Sequence, residues 1–162
     1  MNILRKKIYV DILFHLKRAG VDYGKSIARS TGIPLPLVLQ ALEELEAAGL
    51  VERVGGHVLK RSEARMKLSP EVRKHHIYFK LSREGEMVVR CLKRRGPSAY
   101  LDAMGEDERR ALVELCRGAS RAAPAALVDM GLAEPSGALT PLGLLVAAAA
   151  DPACKKTNKE GR

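Results

Sequence analysis

One stretch constrains the fold of this chain more than any other. From Ser26 to Glu52 it reads Ser-Ile-Ala-Arg-Ser-Thr-Gly-Ile-Pro-Leu-Pro-Leu-Val-Leu-Gln-Ala-Leu-Glu-Glu-Leu-Glu-Ala-Ala-Gly-Leu-Val-Glu. Val38, Leu42 and Leu45 recur at steps of four and three, which puts them on the inner side of a helix. Thr31-Gly32-Ile33-Pro34 supplies a turn before it, and Pro34 and Pro36 fall at a first turn, where a missing amide hydrogen costs little. Gly49 is the residue type that ends a helix in a left-handed conformation, and Leu50-Val51-Glu52-Arg53 then begins a strand. The order is helix, turn, helix, strand. The second helix turns Leu35, Pro36, Leu39, Gln40 and Glu43 outward, and of these Gln40 alone can donate to a base edge.

The flanking residues extend this unit. Leu4, Ile8, Ile12 and Leu16 predict a helix over Leu4 to Arg18, ended by Gly20, with His15 on its surface. Asp22 is placed to cap a short helix from Tyr23 to Ser30. Strands are expected beside Gly55-Gly56 and at Tyr78 to Leu81, after which Ser82 caps a helix from Arg83 to Arg94. Ala28, Val38, Leu42, Leu45, Leu50 and Leu81 form the expected core. Residues 4 to 94 thereby resemble the winged-helix domain common among bacterial and archaeal transcription regulators. The resemblance is carried by Ser26-Ile27-Ala28, by Leu45-Glu46-Ala47-Ala48-Gly49-Leu50-Val51 and by Leu81-Ser82-Arg83-Glu84-Gly85. Small archaeal winged-helix proteins are the most similar group. The resemblance implies a mainly α fold with a small β-wing (α+β), and no catalytic residue, ligand or cofactor. Winged helices serve transcription, replication, RNA binding and protein binding alike, so fold alone does not assign function.

The second half echoes the first. Met130-Gly131-Leu132-Ala133-Glu134 follows Ala48-Gly49-Leu50-Val51-Glu52, and Leu139-Thr140-Pro141-Leu142-Gly143 follows Leu81-Ser82-Arg83-Glu84-Gly85. Helices are expected over Asp107 to Arg117, Arg121 to Met130 and from Pro141 to the Asp151-Pro152 break, with at most a short hairpin between Leu132 and Leu139. We read 1–95 as a winged-helix domain with a basic insertion at about 57–77, and 96–152 as a helical unit, either a reduced winged helix or a dimerisation appendage. Residues 153–162 form a basic tail expected to fray.

Charge follows the same division. Residues 1–95 hold 20 Lys/Arg against 10 Asp/Glu, and residues 96–162 hold 8 against 9, which together give the net +9 of the chain. A basic half that also carries the helix-turn-helix suits a phosphate backbone. Three distant cysteines in no metal-site spacing predict neither a disulfide framework nor a zinc ribbon, and suit a reducing cytoplasm. No apolar run is long enough to span a bilayer. Only Asn2, Gln40 and Asn158 are thermolabile amides, a usage that leans toward a thermophile.

Candidate contacts follow from these patterns. Lys25 and Arg29, with Lys60, Arg61, Arg65, Lys67, Arg73 and Lys74 of the insertion, are candidate phosphate contacts, and Gln40 is the candidate base reader. Leu35, Pro36 and Leu39 are the candidate protein contact. His75 and His76 are neighbours that a strand sends to opposite faces, so they predict no metal site, and His57 reads as a wing histidine. Glu43, Glu44 and Glu46 read as a solvated cluster, and no nucleophile, base or phosphate loop is legible, so no enzyme is expected. The leading expectation is a DNA-binding regulator or weakly specific DNA-associated factor, with duplex DNA favoured over RNA as the nucleic acid and a homodimer or protein contact through the recognition helix or the C-terminal unit. The alternative is a protein- or RNA-interaction module that uses the apolar helix face.

Overall fold

A computed structural model describes residues 1–55 and 76–155. The chain is mainly helical with one three-stranded antiparallel sheet, an α+β fold consistent with a winged helix. It divides into a unit of Met1 with Ile8–Lys93 and a unit of Asn2–Lys7 with Arg94–Arg162.

In the first unit, α1 (Lys7–Ala19) buries Tyr9, Ile12, Leu13 and Leu16 and ends at Gly20 with φ +79°. The expected helical start at Leu4 is replaced by a 3-10 turn, Ile3–Arg5, capped by the Asn2 side chain, and Lys6 is extended. β1 (Val21–Tyr23) then enters the sheet, where a helix cap was expected. The cap residue of α2 (Gly24–Thr31) is Tyr23, without a side-chain bond. Asp22 instead serves the core. Its carboxylate accepts from the Tyr23 N–H at 2.9 Å and the Ser26 hydroxyl at 2.9 Å, and lies 2.7 Å from His15 Nε2. His15 is therefore a core residue, 1% exposed, and not the surface histidine expected. The network ties α1, β1 and α2 together.

α3 (Leu35–Ala47) has the expected face: Val38, Leu42 and Leu45 are fully buried. Ile27 fills the core position on α2, while Ala28 is only half-buried, contrary to expectation. β2 (Val51–Gly55) and β3 (Ile77–Leu81) pair with Arg53 opposite Phe79, and β1 adds to the far side of β3, giving the order β1-β3-β2. α4 (Arg83–Arg95) follows.

The second unit contains α5 (Ser98–Ala103), α6 (Glu106–Cys116), α7 (Ala125–Asp129) and α8 (Pro141–Ala150). No sequence pattern announces α5, and α7 covers only part of the helix expected over Arg121 to Met130 because the chain turns into it at Pro124. Arg5 reaches across 103 residues to grip Glu108 through two bonds of 2.6 and 2.8 Å. That hydrogen bond holds the Glu108 carboxyl below the usual carboxylate range, against the opposing effect of desolvation. The expected tail begins as a 3-10 turn, Pro152–Lys155.

Cys116 and Cys154 form a disulfide with Cα atoms 6.1 Å apart, which corrects the expectation of none. Their 38-residue separation carries no spacing signature. Closing a loop of that length restricts the unfolded chain. Replacing both cysteines by serine is expected to lower the stability of the second unit by roughly 2–4 kcal/mol, read as a lower urea midpoint. A midpoint unchanged by both serine replacement and reductant would contradict the bond.

The sequence echo is reproduced bond for bond. Around Gly49, Gly49 N–H donates to Glu46 C=O (2.9 Å) and Leu50 N–H to Leu45 C=O (3.0 Å). The Ser82 hydroxyl donates to Gly49 C=O (2.6 Å) and accepts from Gly85 N–H (3.0 Å), and Ser82 N–H donates to Leu50 C=O (3.0 Å). In the second unit Gly131 N–H donates to Val128 C=O (2.9 Å) and Leu132 N–H to Leu127 C=O (2.9 Å). The Thr140 hydroxyl donates to Gly131 C=O (2.6 Å) and accepts from Gly143 N–H (3.0 Å), and Thr140 N–H donates to Leu132 C=O (3.1 Å). Gly49 and Gly131 share φ +74°, and α3 and α7 both start after a proline in the same conformation. The second copy is reduced: α7 has 5 residues where α3 has 13, and a single bridge, Ala133 to Leu139, stands where the first unit has its hairpin.

Candidate nucleic-acid interface

Lys25 and Arg29 lie one turn apart on α2, and both are exposed. Helical spacing puts them on one side, so a single phosphate strand could meet both. Arg29 also donates to the Tyr23 hydroxyl at 3.4 Å. Tyr23 in turn stacks on His76 with ring centroids 4.3 Å apart and meets Tyr78 edge-on. Lys60, Arg61, Arg65, Lys67, Arg73 and Lys74, together with His57 and His75, lie outside the described residues.

On α3, Pro36, Gln40 and Glu43 are exposed, Leu39 is 45% exposed, and Leu35 is half-buried. Leu37, which helical period alone leaves unassigned, is 43% exposed and widens the apolar surface. The helix carries no Lys or Arg. The Gln40 amide donates to Glu44 at 3.0 Å, one turn along the same helix, and Glu44 also accepts from the Tyr9 hydroxyl. Glu46 pairs with Arg53 Nε at 2.8 Å. A groove edge approached by this helix would meet Leu39 and Glu43 beside an amide already engaged, a poor constellation for reading bases.

The structure brings three predicted residues, Lys25, Leu35 and Leu39, into one groove of about 420 Å³. Its other wall is Arg53, Ile77 and Phe79, none of them a residue that sequence alone singles out. Arg53 and Phe79 are cross-strand partners on the same sheet face, and the guanidinium lies 5.6 Å from the Phe79 ring centre. The alternation of β2 and β3 carries that signal, but only once their register is known. Gly24 lets the groove close up at one end, since a Cβ there would come within 2.8 Å of the Leu39 side chain.

Among the described residues no helix is long and apolar enough to cross a membrane, and no group of three His, Cys, Asp or Glu is placed to hold a metal. Residues 1–92 match the sequence profile of a family described as an uncharacterized protein conserved in archaea, DUF2250. No curated protein and no solved structure matches the chain. The profile covers more than half of the sequence, from the first 3-10 turn to α4, and the chain belongs to this archaeal family.

Proposed function

We propose that this protein binds duplex DNA as a winged-helix regulator or weakly specific DNA-associated factor, holding the phosphate backbone more than it reads bases, and that it performs no catalysis. The observation that carries this reading is the division of charge within the helix-turn-helix. α2 presents Lys25 and Arg29 to solvent, while α3 presents carboxylates and leucines. Phosphate contacts position a protein without specifying sequence. The charges of Lys60, Arg61, Arg65, Lys67, Arg73 and Lys74 add to the same side of the balance. A cytoplasmic location accompanies this proposal, and the disulfide does not oppose it, because intracellular proteins of hyperthermophilic archaea commonly hold such bonds.

A salt titration tests it. Affinity for a random-sequence duplex should fall linearly on logarithmic axes as salt rises, and Lys25→Ala with Arg29→Ala should reduce that slope by roughly 1.8, at 0.9 per lost contact. Arg61→Ala, Arg65→Ala and Lys67→Ala should act the same way on every sequence, whereas Gln40→Ala should change little. Absence of binding to duplex DNA at low salt would end this reading.

A second reading has its own observation. The groove of Leu35, Leu39, Ile77 and Phe79 suits an apolar side chain of a protein partner, alone or within a ribonucleoprotein. The pair Leu35→Asp and Leu39→Asp separates the two: new negative charge repels DNA from a groove-facing helix, but at a protein contact it removes partner capture and leaves non-specific DNA affinity intact.

A further inference from the structure

We propose that α4 carries a second phosphate-binding face, so that one molecule holds two duplexes at once; this rests on the reading that the protein binds duplex DNA. Arg83, Arg90 and Arg94 recur along α4 at steps of seven and four, which places them in one line, about 10.5 and 6 Å apart along the axis. All three are exposed, and none has a hydrogen bond or ion pair among the described residues. Other arginines of this chain do find carboxylates: Arg53 pairs with Glu46, Arg117 with Asp151, and Arg95, directly after Arg94, with Asp102. On α4 itself Glu86 is engaged by Lys17, and Glu84 lies about a quarter turn round the helix from Arg83. Arg90 and Arg94 thus stand one turn apart as like charges, an arrangement that weakens a helix until an anion covers it.

The line itself selects the anion. Three guanidinium groups in a row suit a partner whose charge also repeats, and each strand of a duplex carries one phosphate for about every 3.4 Å of rise. Met87, 61% exposed, is the one apolar side chain within the line, which leaves little to insert into a lipid surface.

This face stands apart from Lys25 and Arg29. A Cβ at Gly24, where α2 starts, would meet the side chains of Leu35 and Leu39 in the first half of α3. One at Gly85, in the first turn of α4, would meet the C=O of Leu50, beyond the end of α3. α2 and α4 therefore start at opposite ends of a 13-residue helix about 20 Å long. Between them α3 shows solvent Leu39 and Glu43 and has no Lys or Arg, so one phosphate strand laid from α2 to α4 would cross a carboxylate. Two duplexes, one at each end of α3, avoid that repulsion.

The test is capture of one duplex by another. The full chain is loaded on a biotinylated random-sequence duplex held on beads, unbound protein is washed away, and a fluorescent duplex is added. Wild type should capture it. Arg83→Ala, Arg90→Ala and Arg94→Ala together should leave the protein on the beads but lower capture about tenfold or more, and should reduce the salt slope of capture by roughly 2.7, at 0.9 per lost contact. Lysine at the same three positions should restore most of the capture, and Arg110→Ala, an exposed change on α6, should leave it unchanged. Bead-held wild type that captures no second duplex, capture that survives the triple alanine variant, or a loss that lysine does not restore overturns the proposal. So does a triple alanine variant that captures normally but no longer sediments with phosphatidylserine vesicles that bind wild type, since the face would then serve a membrane. A wild type that the bead duplex itself does not hold fails earlier, at the DNA-binding reading, and is told apart by that first retention.

Discussion

Alanine at Gly85 should strongly destabilise the first unit, and alanine at Gly143 should do the same to the second. At each position a Cβ would fall far inside van der Waals contact of a carbonyl oxygen, that of Leu50 at Gly85 and that of Leu132 at Gly143. Both oxygens belong to backbone that is pinned by the Ser82 or Thr140 N–H, so neither can retreat without breaking the bond that joins the helix to the chain before it. A forced overlap with fixed backbone lies at the severe end of overpacking, and we expect a loss on the order of 3–5 kcal/mol at each site. Gly105, with φ −74° and open space around its Cβ position, is the control, and Gly105→Ala should be nearly neutral. Urea denaturation followed separately in the two units checks the pair. If Gly85→Ala and Gly143→Ala unfold at the Gly105→Ala midpoint, the close approaches are not present.

The next largest effect is expected at Asp22→Ala. Asp22 is 2% exposed, and it serves His15, Ser26 and the Tyr23 amide at once. His15 Nδ1 has no hydrogen-bond partner among the described residues, so the ring draws its polar contact from Asp22 through Nε2. Removing one member of a buried polar pair leaves the other desolvated and unpaired, at a cost of about 3–5 kcal/mol. Asp22→Asn, which keeps an acceptor oxygen, should recover part of the loss. Because Ser26 lies in the first turn of α2, the alanine variant should also raise amide exchange there before the unit unfolds globally. A denaturation midpoint within error of wild type would show that the network adds nothing to stability.

The contrast between what can and cannot be read in the sequence lies in how far a residue's partner is. Val38, Leu42 and Leu45 are legible because helical period alone decides which way they point, and the echo of Gly49 at Gly131 because few residue types satisfy a left-handed cap. β1 is hidden by its length: Val-Asp-Tyr between Gly20 and Gly24 is too short for alternation to register. Asp22 reads as a cap because cap and core networks use the same side chain, and only the fold brings His15 to it. The six residues of α5 are too few for a period, and the Cys116–Cys154 bond has no local cause. At the site, the exposure of Lys25 and Arg29 follows from the helix, whereas the turn of Gln40 toward Glu44 and the pairing of Arg53 with Phe79 depend on rotamer and register.

The grip of Arg5 on Glu108 bears on how the protein is made. A ribosome delivers the chain from its amino end, so Arg5 leaves the exit tunnel 103 residues before the carboxylate that holds it. The amino-terminal segment must therefore wait, unpaired, while Ile8–Lys93 is synthesised and can fold. The second unit is closed only when its first and last pieces meet. A single cut after Arg95 would leave Asn2–Lys7 without the residues it packs with, and the second unit cannot be released whole by any one cleavage.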